Sequence, residues 1–167
     1  MASLVGSEAD LSDFLSALLR LEYDAIEAYS VAIDRFDDIT LKIRFQRFRA
    51  DHQRHTRDLA GVLSRRGTPA PEGPGARALL AEGKVVVGNW LGDRGILRAM
   101  LSNEEETNAA YDRGLARIDL GPELEFLLAR HRDDERQHRS FIVEQLALTG
   151  NAPDEPASEE FLGARWG

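Results

Sequence analysis

The chain has no cysteine among its 167 residues, which removes disulfides, thiolate metal sites and thiol nucleophiles from consideration. It has no uncharged apolar run near the roughly 18 residues that a membrane-spanning helix needs. It has no basic excess: the formal net charge of −8 argues against a nucleic-acid surface and does nothing to recruit an anionic membrane. The opening MASLVGSEAD lacks the basic and apolar blocks of a signal peptide, so a cytoplasmic location is expected. No stretch sustains the period-two alternation of β-branched residues that marks strands. What is present, 43% hydrophobic and 30% charged residues, is an ordinary globular mixture, long enough for one domain with a core.

Ala, Leu, Arg and Glu dominate, and apolar residues recur at spacings of three and four. One stripe runs from Leu11 through Leu15, Leu18, Glu22, Ala25, Tyr29 and Ala32 to Phe36. A second joins Leu41, Phe45, Phe48, His52, His55, Leu59 and Val62. A third joins Leu97, Met100, Glu104, Thr107, Tyr111, Gly114 and Ile118, and a fourth joins Leu124, Leu128, His131, Glu135, His138 and Ile142. Four long helices, each burying one seam, predict an all-α four-helix bundle. The segments DDIT (37–40) and DLGP (119–122) predict tight turns, with Thr40 and Pro122 at cap or first-turn positions. Between the two hairpins, GTPAPEGPG (67–75) and a possible short helix within 76–93 predict a long crossover connection. The expected organisation is a bundle over 8–149, with its crossover at 67–93, and a C-terminal tail at 150–167 that is disordered or docks a partner through FLGARWG.

Each stripe is interrupted near its middle by groups that prefer water. A lone buried histidine is more often a hydrogen-bonded core residue than a ligand, and a helical carboxylate is usually only solvated. Here Glu22, His52, His55, Glu104, Glu135 and His138 interrupt four seams at one height, because hairpins closed at the two turns bring each single glutamate level with its partner pair. The i,i+3 spacing of each pair puts both side chains on one helix face, roughly 4.5 Å apart along the axis. Burying three carboxylates without countercharge costs several kcal/mol per ion. A divalent cation removes that cost, and imidazole beside carboxylate suits iron, manganese or zinc.

EYDAIEAY (22–29) with HQRH (52–55), and EEETNAAY (104–111) with ERQH (135–138), resemble the ferritin-like superfamily of bacterioferritin- and rubrerythrin-type carboxylate–histidine bundles. With the Pro/Gly linker and Trp90, the likeness is closest to a bacterial family of ferritin-like bundles of unknown function. It covers residues 8–149 and implies one or two iron ions (zinc or manganese as alternatives), ferroxidase or O2- or peroxide-activating chemistry, and a homo-oligomer, dimer or larger. The implied ligands are Glu22, His55, Glu104, Glu135 and His138, with His52 as a sixth ligand or a gate over an open position.

The chain also repeats itself: RADHQRH (49–55) returns as RDDERQH (132–138), so each hairpin supplies half of a pseudo-symmetric site. His52 stands where the resemblance implies a glutamate, which makes a mixed or single-metal site the alternative to a di-iron one. Asp51 lies beside that seam, about 100° away in an ideal helix, and is a candidate for compensation. Tyr29 and Tyr111 are candidates to hydrogen-bond ligand carboxylates, the alternative being plain aromatic packing. His131 is a ligand, a support to a ligand, or core. Asp24, Glu27, Glu105 and Glu106 fall off the stripes and are expected to be solvated. Two rival functions remain: a bundle that holds zinc or manganese without turnover, and a stress-associated interaction module with a vestigial site.

Overall fold

The period of the stripes is realised as helix over most of their length. A computed structural model of the chain describes residues 5–74 and 92–150, which form four helices and no strand. These are α1 (Leu11–Arg35), α2 (Ile39–Arg65), α3 (Gly92–Leu115) and α4 (Pro122–Gly150). The Asp10 carboxylate accepts from the N–H groups of Ser12 and Asp13 and starts α1, and Asp38 does the same for α2 by accepting from Thr40. Thr40 is therefore a first-turn residue, and Pro122 opens α4 where a missing N–H costs nothing. Helix α2 stops because Gly67, at φ +72°, lets the Gly67 and Thr68 N–H groups return to the Ser64 and Leu63 carbonyls.

Two apolar clusters fix the directions of the helices. One joins Ile33 and Phe36 of the α1 end, Leu41 and Phe45 of the α2 start, Ile96 and Leu97 of the α3 start, and Ile142 of α4. The other joins Leu11, Phe14 and Leu15 of the α1 start, Leu59 and Leu63 of the α2 end, Tyr111 of α3, and Leu128 of α4. Helix α2 thus ends where α3 does, and the connection between them has to traverse the bundle, giving an all-α four-helix bundle with a long crossover. The short helix expected within 76–93 lies, up to residue 91, outside the described residues, as does the tail from 151. Among the described residues no helix is long and apolar enough to cross a membrane.

Two expectations fail locally. Ile118 is fully exposed, because α3 stops at Leu115 before the third stripe is complete. Asp24 is buried at 6% exposure rather than solvated, because α1 packs against both α2 and α3 and its buried arc is wider than one seam. At Gly114 an added Cβ would overlap the buried Phe14 ring. Gly114→Ala should therefore lower stability by about 1–3 kcal/mol by overpacking. This outweighs the roughly 0.5–1 kcal/mol that alanine gains over glycine in a helix. Urea unfolding reads the sign, and a stabilised variant would contradict the close approach.

Candidate metal centre

Between the two apolar clusters, every helix turns a polar side chain inward. Glu22 comes from α1, His52 and His55 from α2, Glu104 from α3, and Glu135 and His138 from α4, each no more than 1% exposed. All six residues singled out in the sequence are brought together. His52 is central: its Nδ1 lies 2.7 Å from Glu22 Oε2 and 3.4 Å from Glu135 Oε1, and its Nε2 lies 3.9 Å from Glu104 Oε1. His55 Nδ1 lies 3.2 Å from Glu135 Oε1 and 3.4 Å from Glu22 Oε2. His138 Nδ1 lies 3.9 Å from both Glu104 Oε2 and Glu135 Oε2. Two overlapping groups result, Glu22/His52/His55/Glu135 and His52/Glu104/Glu135/His138, each with its ligand atoms within 4.8 Å of one another.

The internal repeat is visible in what supports these residues, and each hairpin supports the other. Tyr29 of the first donates to Glu104 Oε1 of the second at 2.6 Å, and Tyr111 of the second donates to Glu22 Oε1 of the first at 2.5 Å. Likewise His138 Nε2 meets Asp51 Oδ2 at 3.2 Å, and His55 Nε2 meets Asp134 Oδ2 at 3.2 Å. Asp51 therefore orients a histidine from behind. Asp134 was not singled out from the sequence, although it occupies the position of Asp51 in the second copy of the repeat. Two further supports were missed. Arg54 bridges both aspartates, and Asn108 donates to the backbone carbonyls of Glu104 and Glu135, tying α3 to α4 beside the site.

The symmetry breaks on the outer rings. The His131 ring stacks on His55 with centroids 4.0 Å apart, while Phe48, its counterpart in the repeat, packs against His138 at 4.2 Å with the rings tilted by 34°. Behind Phe48 stands Phe141, at 5.5 Å between centroids, and behind His131 stands Asp58, at 3.1 Å from Nε2. His131 Nδ1 also lies 3.3 Å from the Tyr111 hydroxyl. His131 is thus packed behind the site and is in neither ligand group. One half of the site is backed by an aromatic pair, and the other by a polar line from Glu22 through Tyr111 and His131 to the partly exposed Asp58.

The charges are strongly coupled to this geometry. Burial by itself would raise the Glu22 carboxyl, but His55 and His52 hold it well below the usual carboxylate range. Burial and the Glu135 carboxylate push Glu104 well above that range, outweighing His52 and the Tyr29 hydroxyl. Burial opposes a charged His52, yet Glu135 and Glu22 carry it up to about 9. His55, against the same opposition, is carried up to about 12 by Glu22, Asp134 and Glu135. Burial and the neighbouring His55 charge take His131 down to about 4. Burial pushes both tyrosines well above their ordinary value, and the carboxylates they donate to add to that, so both remain donors. Removing a donor from a buried ion costs about 1–3 kcal/mol. Tyr111→Phe, which exposes an ionised Glu22, should therefore cost more than Tyr29→Phe, which exposes a Glu104 biased toward its neutral form. Urea unfolding of the cation-free variants checks the order, and equal losses would contradict it.

Even so, the cluster does not satisfy itself. His52 Nε2, His55 Nδ1, His138 Nδ1, Glu104 Oε2 and both Glu135 carboxylate oxygens are buried without a hydrogen-bond partner in the protein. Six such atoms at one place, all of ligating type and drawn from five residues, could hold a metal ion. A family model described as a domain of unknown function matches residues 10–117. No curated protein and no solved structure matches the chain.

Proposed function

Because the chain belongs to a family described as a domain of unknown function (DUF2383), we propose a function from the site together with the resemblance to ferritin-like bundles: a metal protein that takes one or two divalent cations into the bundle, iron first, and acts on Fe2+ as a ferroxidase or activates O2 or peroxide. The observation that carries this is the set of six buried, unpartnered ligating atoms of His52, His55, Glu104, Glu135 and His138. Glu22, His55, Glu104, Glu135 and His138 would be ligands, with His52 shared between the two halves. Tyr29, Tyr111, Asp51 and Asp134 would hold ligand orientations, as outer partners do in metal sites generally. A bound iron would supply one-electron chemistry toward oxygen. The helices supply a site sealed above and below by apolar side chains and carboxylates already aimed by tyrosine. Glu followed by Glu/His-x-x-His on each hairpin, and the crossover topology, are compatible with the ferritin-like superfamily.

His52 favours a second reading. Three imidazoles beside three carboxylates leave less anionic charge than four carboxylates would, and that donor set also suits zinc held without turnover. Anaerobic loading with Fe2+ followed by exposure to air separates the two. The redox reading expects Fe2+ oxidation faster than in buffer alone. No acceleration, with zinc bound and not displaced by iron, would replace it with the holding reading.

A further inference from the structure

The site is closed above and below by the two apolar clusters, and its hairpin faces are closely packed, whereas of the four neighbouring helix pairs α2 and α4 touch least. On that α2–α4 face stand three partly exposed residues, Asp51, Arg54 and Asp134, with side chains 29%, 35% and 28% exposed. Asp51 touches the outer nitrogen of His138, and Asp134 touches that of His55. The Arg54 guanidinium spans them, with Nη1 at 2.6 Å from Asp51 Oδ1 and Nη2 at 2.7 Å from Asp134 Oδ2. We propose that this face is the entrance by which divalent cations reach the buried site, and that Arg54 is the residue that closes it. The inference rests on the metal-binding reading above for its cargo, but not for the existence of the entrance.

The chemistry follows from charge and geometry. Two aspartates, each in contact with a histidine ligand, form an anionic pair that attracts a cation and passes it inward to imidazole. A planar fork that donates to both carboxylates at once occupies that pair and presents a like charge to any arriving cation. For a cation to pass, the guanidinium must swing outward and surrender two charge-assisted hydrogen bonds to water. The closed position is itself imperfect, because Arg54 Nε is buried without a partner. The repeat does not duplicate this device. The counterpart of Arg54 is Gln137, which is exposed and donates to the Asp133 carbonyl, so one cationic arm serves the whole entrance.

Two readouts on the full chain test the entrance, and one of them needs no metal. His138 is buried at the site and its outer nitrogen meets Asp51 on this face, so its modification by diethylpyrocarbonate, located by peptide mapping, reports access through the entrance. Arg54→Ala should speed that modification in cation-free protein. It should also speed Co2+ association, followed by stopped-flow absorbance, by roughly tenfold or more, because a like charge is removed from an anionic funnel. Asp51→Asn with Asp134→Asn in the same background should abolish the gain in association rate. If Arg54→Ala loses its cooperative melt, Arg54→Gln takes its place. Unchanged histidine modification, or Co2+ binding at an unchanged rate, would overturn the entrance. Faster modification with no Co2+ bound by any form would uphold the entrance and overturn the metal reading instead.

Discussion

Glu135→Ala is expected to strip the purified chain of divalent cation, whereas Glu104→Ala should leave part of it. The difference comes from position. Glu135 belongs to both ligand groups: Oε1 lies nearest His55 and His52, and Oε2 lies near His138. Its loss leaves each group three donors and takes away the anionic charge they share. Glu104 belongs to one group only, and Glu22, His52, His55 and Glu135 remain without it. Losing an outer-shell support typically costs roughly 10–100-fold in metal affinity, and losing a shared ligand should cost more. Elemental analysis after purification without chelators reads the ratio, with circular dichroism to verify that the helices persist. Undiminished metal in Glu135→Ala, or equal loss in the two variants, would contradict the shared-ligand geometry.

His52→Glu should move stability in opposite directions with and without metal. In the cation-free protein His52 is the central countercharge, carried up to about 9 by the carboxylates around it, and the substitution exchanges it for a fourth carboxylate. Removing one partner from a buried charge cluster costs about 3–5 kcal/mol, so the cation-free variant should melt well below the parent. With cation present the added anion is an added ligand, and metal per chain should rise from near one toward two. Melting curves with and without cation, beside metal analysis, check both signs. A variant as stable as the parent without metal, at the same stoichiometry, would mean that His52 neither holds the site together nor limits its occupancy.

The fold and the six central residues were legible because both are written in period. Hydrophobic spacing placed the seams, and the same spacing placed the polar interruptions at one height once the two turns were located. The limits have physical causes. Asp24 sits off the first stripe and is buried nonetheless, because α1 packs against two neighbouring helices rather than one. Asp51 points away from the seam in an ideal helix, yet it reaches His138 because the contact is made between α2 and α4, which one helix's geometry cannot describe. Asp134 and Arg54 look like ordinary surface charges for the same reason, although aligning RADHQRH with RDDERQH pairs Asp134 with Asp51. The crossed tyrosine–glutamate bonds are a property of the assembled hairpins. Seven-residue spacing indicated that Tyr29 and Tyr111 share a face with Glu22 and Glu104, but each tyrosine serves the glutamate of the other hairpin.

The cation-free site holds its carboxylates with protons: His52 is carried up to about 9, His55 up to about 12, and Glu104 well above its ordinary value. At pH 7 these protons occupy places that a cation would take, so binding must release them. Apparent affinity should therefore rise with pH and fall on acidification. Calorimetric titration of the cation-free chain with Zn2+ at pH 7, in two buffers of different ionisation enthalpy, measures stoichiometry and proton release together. Tight binding of one or two ions per chain, with about one proton or more released per ion, is the predicted result. Absence of stoichiometric binding, or binding that releases no proton, would contradict the assignment of this cluster as a metal centre.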